Sequence, residues 1–229
     1  KTKINYEHYL RRFLDFARIS DPRDITSELV RTYRLHLNGL KTIGGKVLKK
    51  QTQAYHLIAL RNFLKYCAKR DIRTLSPEKI ELGKMPSRSI QCMDEDELSR
   101  LLGAPRGTDL RDLRDDAILK TLFSSGIRVS ELTALNRNSI DFSRGEFTVR
   151  GKGDKLRVVF LSENAKSAIQ KYLKQREDVE EALFIRIPKS GSFATAENLR
   201  LTPRSIELLI KKYAAVAGVA KKVTPHSLR

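Results

Sequence analysis

Residues 224–229 combine a predicted helix start with two side chains that can bind phosphate. Thr224 is a suitable N-cap, and Pro225 suits the first helical position. His226 and Arg229 are three residues apart, so they share one face of the predicted helix. Free N–H groups and the positive dipole at a helix N-terminus also favour an anion. The pattern predicts a phosphate site, with an ordinary surface histidine and arginine as the alternative.

Arg128 lies at a second predicted helix start, directly after a helix break at residues 124–126. Glu131 follows three residues later and could hold the guanidinium in place through an ion pair. Arginine is well suited to stabilising charge on phosphate oxygens, which makes Arg128 a further candidate for phosphate binding. A surface ion pair that contributes little energy is the alternative.

A basic turn lies between two predicted strands. Lys152 is flanked by Gly151 and Gly153, whose backbone freedom would let the lysine move at the tip of a hairpin. Three further basic residues surround it: Arg150, Lys155 and Arg157. The P-loop pattern does not fit, because no Ser or Thr follows the lysine and no helix follows the turn. A solvated basic turn is the alternative.

These residues belong to a predicted domain of mixed helices and strands, residues 92–229. Acidic residues at 94–97 predict a helix start, because the helix dipole favours them there. Alternating and β-branched residues predict a three-stranded antiparallel meander at 140–142, 146–150 and 156–161. The longer helices of this domain are predicted at 110–123, 163–176 and 203–217.

Residues 1–82 predict a separate helical domain. Its helices are expected to begin near four residues, Thr2, Thr26, Thr52 and Pro77, which gives a small four-helix bundle. Residues 83–91 contain a proline, serines and basic residues with little apolar periodicity. We therefore expect them to form a linker between the two domains.

The charge of the chain restricts the class of protein. The 229 residues include 45 Lys and Arg against 27 Asp and Glu, a net charge of +18, of which residues 1–83 carry +10. Such a surplus indicates a polyanionic partner: DNA, RNA or an anionic membrane. Two cysteines and scattered histidines predict neither a disulfide framework nor a metal site. No membrane-spanning or secretory segment is apparent, which favours a cytoplasmic protein without a membrane partner.

In combination, three motifs resemble the catalytic domain of tyrosine site-specific recombinases, most closely the Xer type of bacteria and archaea. They are SSGIRVSEL, GKGDK and PHSLR, and Lys152 follows Arg128 by 24 residues. The segments NYEHYLRRFLDFA and ALRNFLKYCAKRD resemble the family's helical core-binding domain. The resemblance implies a mainly α-helical fold with a small antiparallel sheet. Its parts are a four-helix, SAM-like core-binding domain and an α+β catalytic domain.

The resemblance implies a role for each matching residue. Arg128 and Arg229 match two arginines that contact the scissile phosphate, and His226 matches the histidine of the HxxR box. Lys152 matches a hairpin lysine expected to protonate the departing 5′ oxygen. This set suits phosphoryl transfer, because arginines stabilise charge on the phosphate oxygens and Lys or His can supply a proton. The implied reaction cuts and rejoins DNA through a 3′-phosphotyrosine intermediate and a Holliday junction, without a metal or cofactor.

The family's nucleophile is a tyrosine downstream of the HxxR box. The seven tyrosines of this chain all precede His226, and the nearest, Tyr213, lies in the wrong segment. Without a nucleophile no covalent intermediate can form. We therefore expect a C-terminally truncated chain that binds DNA and does not cleave it.

The family also implies partners. These are double-stranded DNA with an inverted-repeat site, further copies of the full-length protein in a tetramer on DNA, and a DNA translocase. The helix beginning near Thr52 is the predicted major-groove reader, because polar and basic residues accompany its apolar stripe. The predicted DNA-binding residues are Lys49, Lys50, Gln51, Gln53, His56, Arg61, Lys155, Arg157 and Arg204.

Three other functions fit parts of this pattern. A type IB topoisomerase shares the chemistry, but the helical N-terminal domain and the residues around Arg128 favour a recombinase. A non-catalytic DNA-binding regulator would explain the absent tyrosine, although it would not need all four catalytic matches. An RNA-binding protein is disfavoured because no aromatic strand motif of the RNA-recognition type is present.

Overall fold

The computed structural model describes residues 2–42, 44–83, 92–151, 153–188 and 199–228. The chain divides into two compact units, Lys1–Ser89 and Ile90–Arg229. Most of the predicted linker, residues 84–91, lies outside the described residues, so the domain limits stay a prediction. The mainly helical fold with one small antiparallel sheet is confirmed.

The first unit is built from three α-helices: α1 (Thr2–Ala17), α2 (Ser27–Gly39) and α3 (Lys50–Ala68). Their apolar residues recur at helical spacing, so each helix presents one face to a shared core. The buried residues of that core are Phe13, Ile25, Val30, Tyr33, Leu37, Leu57, Leu60, Leu64 and Ile80. The predicted apolar stripe of α3 is therefore confirmed as core.

The start of α2 agrees with the predicted helix signal. The Thr26 hydroxyl accepts a hydrogen bond from the Leu29 amide at 3.1 Å, which satisfies one of the free N–H groups at the helix start. A short 3₁₀ turn, Pro22–Asp24, precedes it.

The fourth predicted helix of this unit is a single 3₁₀ turn in the described residues, Pro77–Lys79. The backbone becomes extended at Ile80, whose side chain is buried in the core of the unit. Burying that side chain in the core shared with α3 takes the chain out of helical geometry. The proline and serine signals therefore marked a turn, not a full helix.

The second unit surrounds a three-stranded sheet with helices. In chain order these are α4 (Glu95–Leu102), α5 (Leu110–Ser125), α6 (Val129–Ala134), α7 (Glu163–Lys174) and α8 (Pro203–Val216). The strands are β1 (Ile140–Asp141), β2 (Glu146–Arg150) and β3 (Leu156–Phe160). They form the predicted antiparallel meander in the order β1-β2-β3.

The core of this unit lies between α5, α7 and α8 and one face of the sheet. Phe147, Val149 and Val159 alternate with exposed residues along β2 and β3, as expected for a sheet with one covered face. The other face exposes Leu156, Val158 and Phe160. Arg157 has the same parity as Val159 and therefore belongs to the core side of β3.

The predicted start of α4 is confirmed in detail. Asp94 and Glu97 form a reciprocal capping box, with N–H to carboxylate distances of 2.8 and 3.0 Å. Lys221, which precedes the His226 segment, donates to Glu97 at 2.6 Å. This ion pair thus links the start of α4 to the segment that leads to His226.

In the part of the chain that the structure describes, no helix combines the length and apolar composition needed to cross a membrane.

Candidate active site

A glycine places Arg128 at the start of α6. Gly126 ends α5 in the left-handed region at φ 57°, where glycine is strongly favoured, and its amide closes the last turn onto the Leu122 carbonyl at 3.0 Å. Ile127 is buried beyond this turn, so the chain is anchored immediately before Arg128. Arg128 is the N-cap residue of α6, and its side chain is 47% exposed.

The predicted ion pair between Arg128 and Glu131 is present. Glu131 accepts from the Arg128 backbone amide at 2.7 Å and from Nη1 of its guanidinium at 2.9 Å. The Glu131 side chain is only 6% exposed. Burial raises the pKa of Glu131, but hydrogen bonds from Arg157 and Arg128 outweigh this effect and hold the pKa below its ordinary value. A charged Glu131 therefore fixes one side of Arg128 and leaves the rest of the guanidinium exposed.

His226 lies on a single 3₁₀ turn, Pro225–Leu228, where an α-helix start was predicted. Thr224 was expected to cap this segment with its side chain. Instead, the Ser227 hydroxyl accepts a hydrogen bond from the Thr224 backbone amide at 2.8 Å. One turn aligns too few peptide dipoles to favour an anion strongly. Phosphate binding here would depend on side chains. Arg229 lies outside the described residues.

Arg128 and His226 line the same open groove of about 400 Å³. Its other lining residues are Ile127, Val129, Ser130, Glu207, Thr224 and Pro225. The structure thus brings together two predicted site residues that are 98 positions apart in sequence. A guanidinium and an imidazole facing one cleft can hold an anionic group and donate a proton to it.

Glu207 is a groove residue that the sequence did not single out. It accepts from Arg204 at 3.1 Å within α8, and both side chains are exposed. Arg204, predicted as a DNA contact, therefore also offsets a carboxylate that would repel phosphate in this groove. Only the fold brings Glu207 to Arg128, so no local sequence pattern could have identified it.

The hairpin between β2 and β3 carries the basic turn. Lys152 lies outside the described residues. Gly153 and Asp154 both have positive φ, 76° and 63°, as in the tight turns that match strand twist. Arg150 pairs with Asp154 at 2.7 Å, and Lys155 is exposed. Lys155 therefore remains a candidate for DNA contact.

Arg157, a predicted DNA contact, pairs with Glu131 and has a side chain that is 36% exposed. Its guanidinium donates to both carboxylate oxygens of Glu131, Nη1 to Oε1 at 3.1 Å and Nη2 to Oε2 at 2.8 Å. The period-two alternation of β3 could have revealed this, because it places Arg157 on the same face as buried Val159. The DNA contact of Arg157 stays a prediction, because the Arg128 guanidinium binds the same carboxylate and is also a candidate for phosphate binding.

The residues predicted for the major-groove helix divide into two groups. Lys49 and Lys50 are exposed at the start of α3, where they are free to approach DNA. The Gln51 amide donates to the Tyr55 hydroxyl at 2.9 Å, and the Gln53 amide donates to the Leu48 carbonyl at 2.8 Å. Arg61 is half-buried. The glutamines therefore support the helix surface and its first turn.

The prediction that His56 reads DNA is wrong, because His56 is a core residue. It is 1% exposed, and its Nδ1 lies 3.1 Å from the Tyr33 hydroxyl. Its ring also packs against Tyr9, at a centroid distance of 4.5 Å. A polar residue type at a helical position did not distinguish a groove contact from a buried hydrogen bond.

We expect His56 to make the first unit less stable in acid. Burial lowers the pKa of His56 from 6.5 to about 4, and the charges of Arg12 and His8 act in the same direction. Between these values the unfolded state binds more protons, so the free energy of unfolding falls as the pH falls, by at most about 3 kcal/mol. Hydrogen exchange of the α3 amides at pH 7 and pH 4.5 measures the effect.

His56→Phe should flatten this pH dependence, since nothing titrates at that position. His36→Gln is the matched control, because it removes an exposed imidazole from the same unit and should keep the slope. An identical pH slope in wild type and His56→Phe would contradict the assignment.

Tyr213 cannot serve as a nucleophile in this arrangement. Its hydroxyl is buried and donates to Asp112 at 3.1 Å and to Asp115 at 3.0 Å. Burial and the two neighbouring carboxylates raise the pKa of Tyr213 far above its ordinary value. The side chain instead ties α8 to α5. Among the described residues, no three His, Cys, Asp or Glu side chains are grouped so that they could hold a metal ion.

The chain resembles known proteins in sequence. Residues 91–229 match the phage integrase family. The chain is 36% identical over 184 residues to the tyrosine recombinase XerC of Syntrophus aciditrophicus, which covers 80% of this chain and 59% of that protein. It is 31% identical over 228 residues to XerC of Thermodesulfovibrio yellowstonii, covering 98% and 72% respectively. The chain thus spans less than two thirds of the length of the Syntrophus protein.

Solved structures show the same fold. The XerA recombinase superposes with a TM-score of 0.52 at 28% identity, covering 99% of this chain and 74% of that chain. The integrase of transposon Tn1549, solved in complex with transposon right end DNA, gives a TM-score of 0.72 over 99% and 78% of the two chains. At 18% identity, this second likeness concerns the fold alone.

Proposed function

This chain belongs to the phage integrase family, the tyrosine recombinases, and we propose that it supplies the DNA-binding and phosphate-activating parts of a site-specific DNA recombinase. The observation that carries the proposal is the groove shared by Arg128 and His226. Two residues matched to the family's catalytic set from distant parts of the sequence meet there. Glu131 binds the backbone amide and Nη1 of Arg128, so the remaining donors of the Arg128 guanidinium are available to the groove.

The proposed chemistry uses four residues of this chain. Arg128 and Arg229 bind the non-bridging oxygens of the scissile phosphate and stabilise the charge that builds up during attack. His226 assists proton transfer at the same phosphate, and Lys152 protonates the departing 5′ oxygen. The complete reaction forms a 3′-phosphotyrosine and a Holliday junction. Its nucleophile is a tyrosine that these 229 residues do not supply.

A polypeptide of these 229 residues therefore binds DNA without cleaving it. Every tyrosine of the sequence precedes His226, and Tyr213 is held by two carboxylates in the core. The tetramer on DNA and activation by a DNA translocase belong to the proposed full-length protein. We place this protein in the cytoplasm, where chromosomal DNA is accessible.

Double-stranded DNA is the proposed partner. The net charge of +18 supplies the phosphate attraction, and Lys49, Lys50 and Lys155 are exposed in the two units. Affinity is therefore expected to fall steeply as salt rises, because bound lysines and arginines release counterions from DNA. The major-groove helix α3 would then read the half-site, beginning with the lysines at its N-terminal end.

The test is selection of bound duplexes from a random-sequence library by the 229-residue chain. We expect enrichment of two half-sites in inverted orientation. Binding without any sequence enrichment would instead favour a type IB topoisomerase. Preference for a structured RNA competitor, or no binding at low salt, would overturn the proposal.

A nicked suicide duplex carrying the selected site separates binding from cleavage. We expect a salt-sensitive complex and no protein–DNA adduct that survives denaturation. An adduct would contradict the assignment of the nucleophile, and its loss in Tyr213→Phe would identify the tyrosine. Binding of the selected site with no adduct would agree with the proposal, as it would for a non-catalytic regulator. Because that regulator would not need the catalytic set, weaker DNA binding by Arg128→Ala favours the recombinase and unchanged binding favours the regulator.

A further inference from the structure

Glu131 is shared by two arginines from different elements. Its Oε1 accepts from Arg128 Nη1 at 2.9 Å and from Arg157 Nη1 at 3.1 Å. Its Oε2 accepts from the Arg128 amide at 2.7 Å and from Arg157 Nη2 at 2.8 Å. Each oxygen therefore has one donor from Arg128, the N-cap residue of α6, and one from Arg157 of β3. The orientation of the carboxylate depends on both arginines together.

Arg157 also contacts the base of the hairpin that contains Lys152. A Cβ placed on Gly151 would lie 3.3 Å from Arg157 Nη1, so the guanidinium packs directly over this glycine. The Gly151 amide closes the hairpin by donating to the Lys155 carbonyl at 2.8 Å. Lys152 follows Gly151 in the sequence. The guanidinium thus lies between Glu131 and the start of the basic turn.

Charge and burial explain why this position needs an arginine. Glu131 is 6% exposed, so its negative charge depends on its two partners for compensation. Arginine presents a planar pair of donors that matches both oxygens of a carboxylate, whereas lysine offers one point charge. The same planar group can stack over Gly151 while it binds Glu131. A lysine would satisfy the charge but not both contacts.

We infer that Arg157 is a positioning residue, which holds Arg128 through Glu131 and the base of the β2–β3 hairpin through Gly151, and that it does not bind DNA. The inference rests on the proposed function only in assigning a phosphate to Arg128. The contacts themselves join Arg128 to Gly151, which come from separate motifs. A DNA contact at Arg157 would require its guanidinium to leave Glu131.

The first measurement uses the DNA-free 229-residue chain and NMR. In Arg157→Gln we expect the Arg128 amide to exchange about tenfold faster, because Glu131 is no longer held in place to accept from it. The Gly153 amide should become more mobile at the same time. The pKa of Glu131 should rise toward its ordinary value, since the largest of its hydrogen-bond contributions is lost. A purely local packing role of Arg157 would not move Arg128 and Gly153 together.

Three further variants keep the test decisive. Arg157→Lys retains the charge and should fold, yet it should still release the Arg128 amide. Gly151→Ala pushes against the guanidinium from the hairpin side and should produce a smaller change of the same kind. Arg144→Gln is the matched control, because this exposed arginine in the turn between β1 and β2 pairs with Asp141 and Glu146, not with Glu131. It should leave both amides unchanged.

The salt dependence of DNA binding tests whether Arg157 instead contacts a DNA phosphate. Lys155→Gln should lower the slope of affinity against salt by about one, as expected for one lost phosphate contact. If Arg157→Gln lowers the slope in the same way and leaves the Arg128 amide as in wild type, Arg157 is a DNA contact and the inference is overturned. If wild type binds no DNA, the proposed function fails, whereas the amide measurement still tests Arg157.

Discussion

Replacing Asp178 by alanine is expected to lower the free energy of unfolding of the second unit by about 3–5 kcal/mol, as for a buried charge that loses its partner. Asp178 is 2% exposed and pairs with Arg176, whose side chain is 0% exposed. It also accepts from Arg137 at 2.8 Å and from the Glu180 amide at 3.0 Å. Alanine would leave the Arg176 charge buried without a carboxylate.

Asp178→Ala is also expected to disturb the candidate active site, because the loop that Asp178 and Arg176 stabilise contacts the end of α6. Arg176 also donates to the carbonyls of Ala182 and Leu183 at 2.7 and 2.8 Å. The Leu183 amide in turn donates to the carbonyl of Leu135, which directly follows α6. The loop therefore supports the helix that begins at Arg128. Chemical denaturation followed by circular dichroism measures the change.

Asp154→Asn is the control for Asp178→Ala, because asparagine removes the charge and tolerates the positive φ of 63° at this position. Its partner Arg150 is exposed, and water can replace the carboxylate. We expect no resolvable change in stability there. Equal stability of wild type and Asp178→Ala would contradict the assigned role of this carboxylate.

Acid should destabilise the second unit in the same way as Asp178→Ala. Burial raises the pKa of Asp178, but its partners, led by Arg176, hold the pKa below its ordinary value. The stabilisation is therefore present above the unfolded pKa and is lost as the pH falls through the folded one.

Replacing Arg128 by alanine should weaken DNA binding by the 229-residue chain about 10- to 100-fold, the range for a charge-assisted hydrogen bond of about 1.5–3 kcal/mol. Arg128 is half exposed at the groove, while its other side is fixed by Glu131. The guanidinium therefore approaches a phosphate with little further loss of side-chain freedom. The slope of affinity against salt should fall by about one.

Folding should survive this substitution, since Glu131 keeps both hydrogen bonds from Arg157. Arg144→Ala removes the same charge from an exposed turn of the same unit and is the matched control. We expect its affinity to remain within about threefold of wild type, because Arg144 is not among the described residues that line the groove. Equal affinities of the Arg128 and Arg144 variants, measured by fluorescence anisotropy, would remove Arg128 from the proposed site.

Local sequence patterns predicted the elements that carry this site. The capping box of Asp94 and Glu97, the Thr26 cap and the glycine after α5 are encoded within a few neighbouring residues. The alternation that gives β2 and β3 is equally local. The pairing of Arg128 with Glu131 could be predicted because the two residues are one helical turn apart.

Contacts between distant segments could not be predicted in this way. His56 has the residue type of a DNA contact, yet Tyr33 and Tyr9 from two other helices enclose it. Glu207 reaches the groove only because α8 packs beside α6. The 3₁₀ turns at Pro77 and Pro225 depend on the burial of Ile80 and Leu228, which local turn signals do not reveal.

The sequence by itself determined the charge that attracts a polyanion, the order of the three motifs, the helix that begins at Arg128 and the strands of the basic hairpin. Only the tertiary structure decided that Arg128 and His226 face one groove and that Glu131 binds both Arg128 and Arg157. Arg128 and Arg157 have the same side chain and both bind Glu131, but Arg157 lies on the core side of β3. The physical reason is that burial and partner geometry, set by packing between distant segments, decide whether a guanidinium remains available to a phosphate.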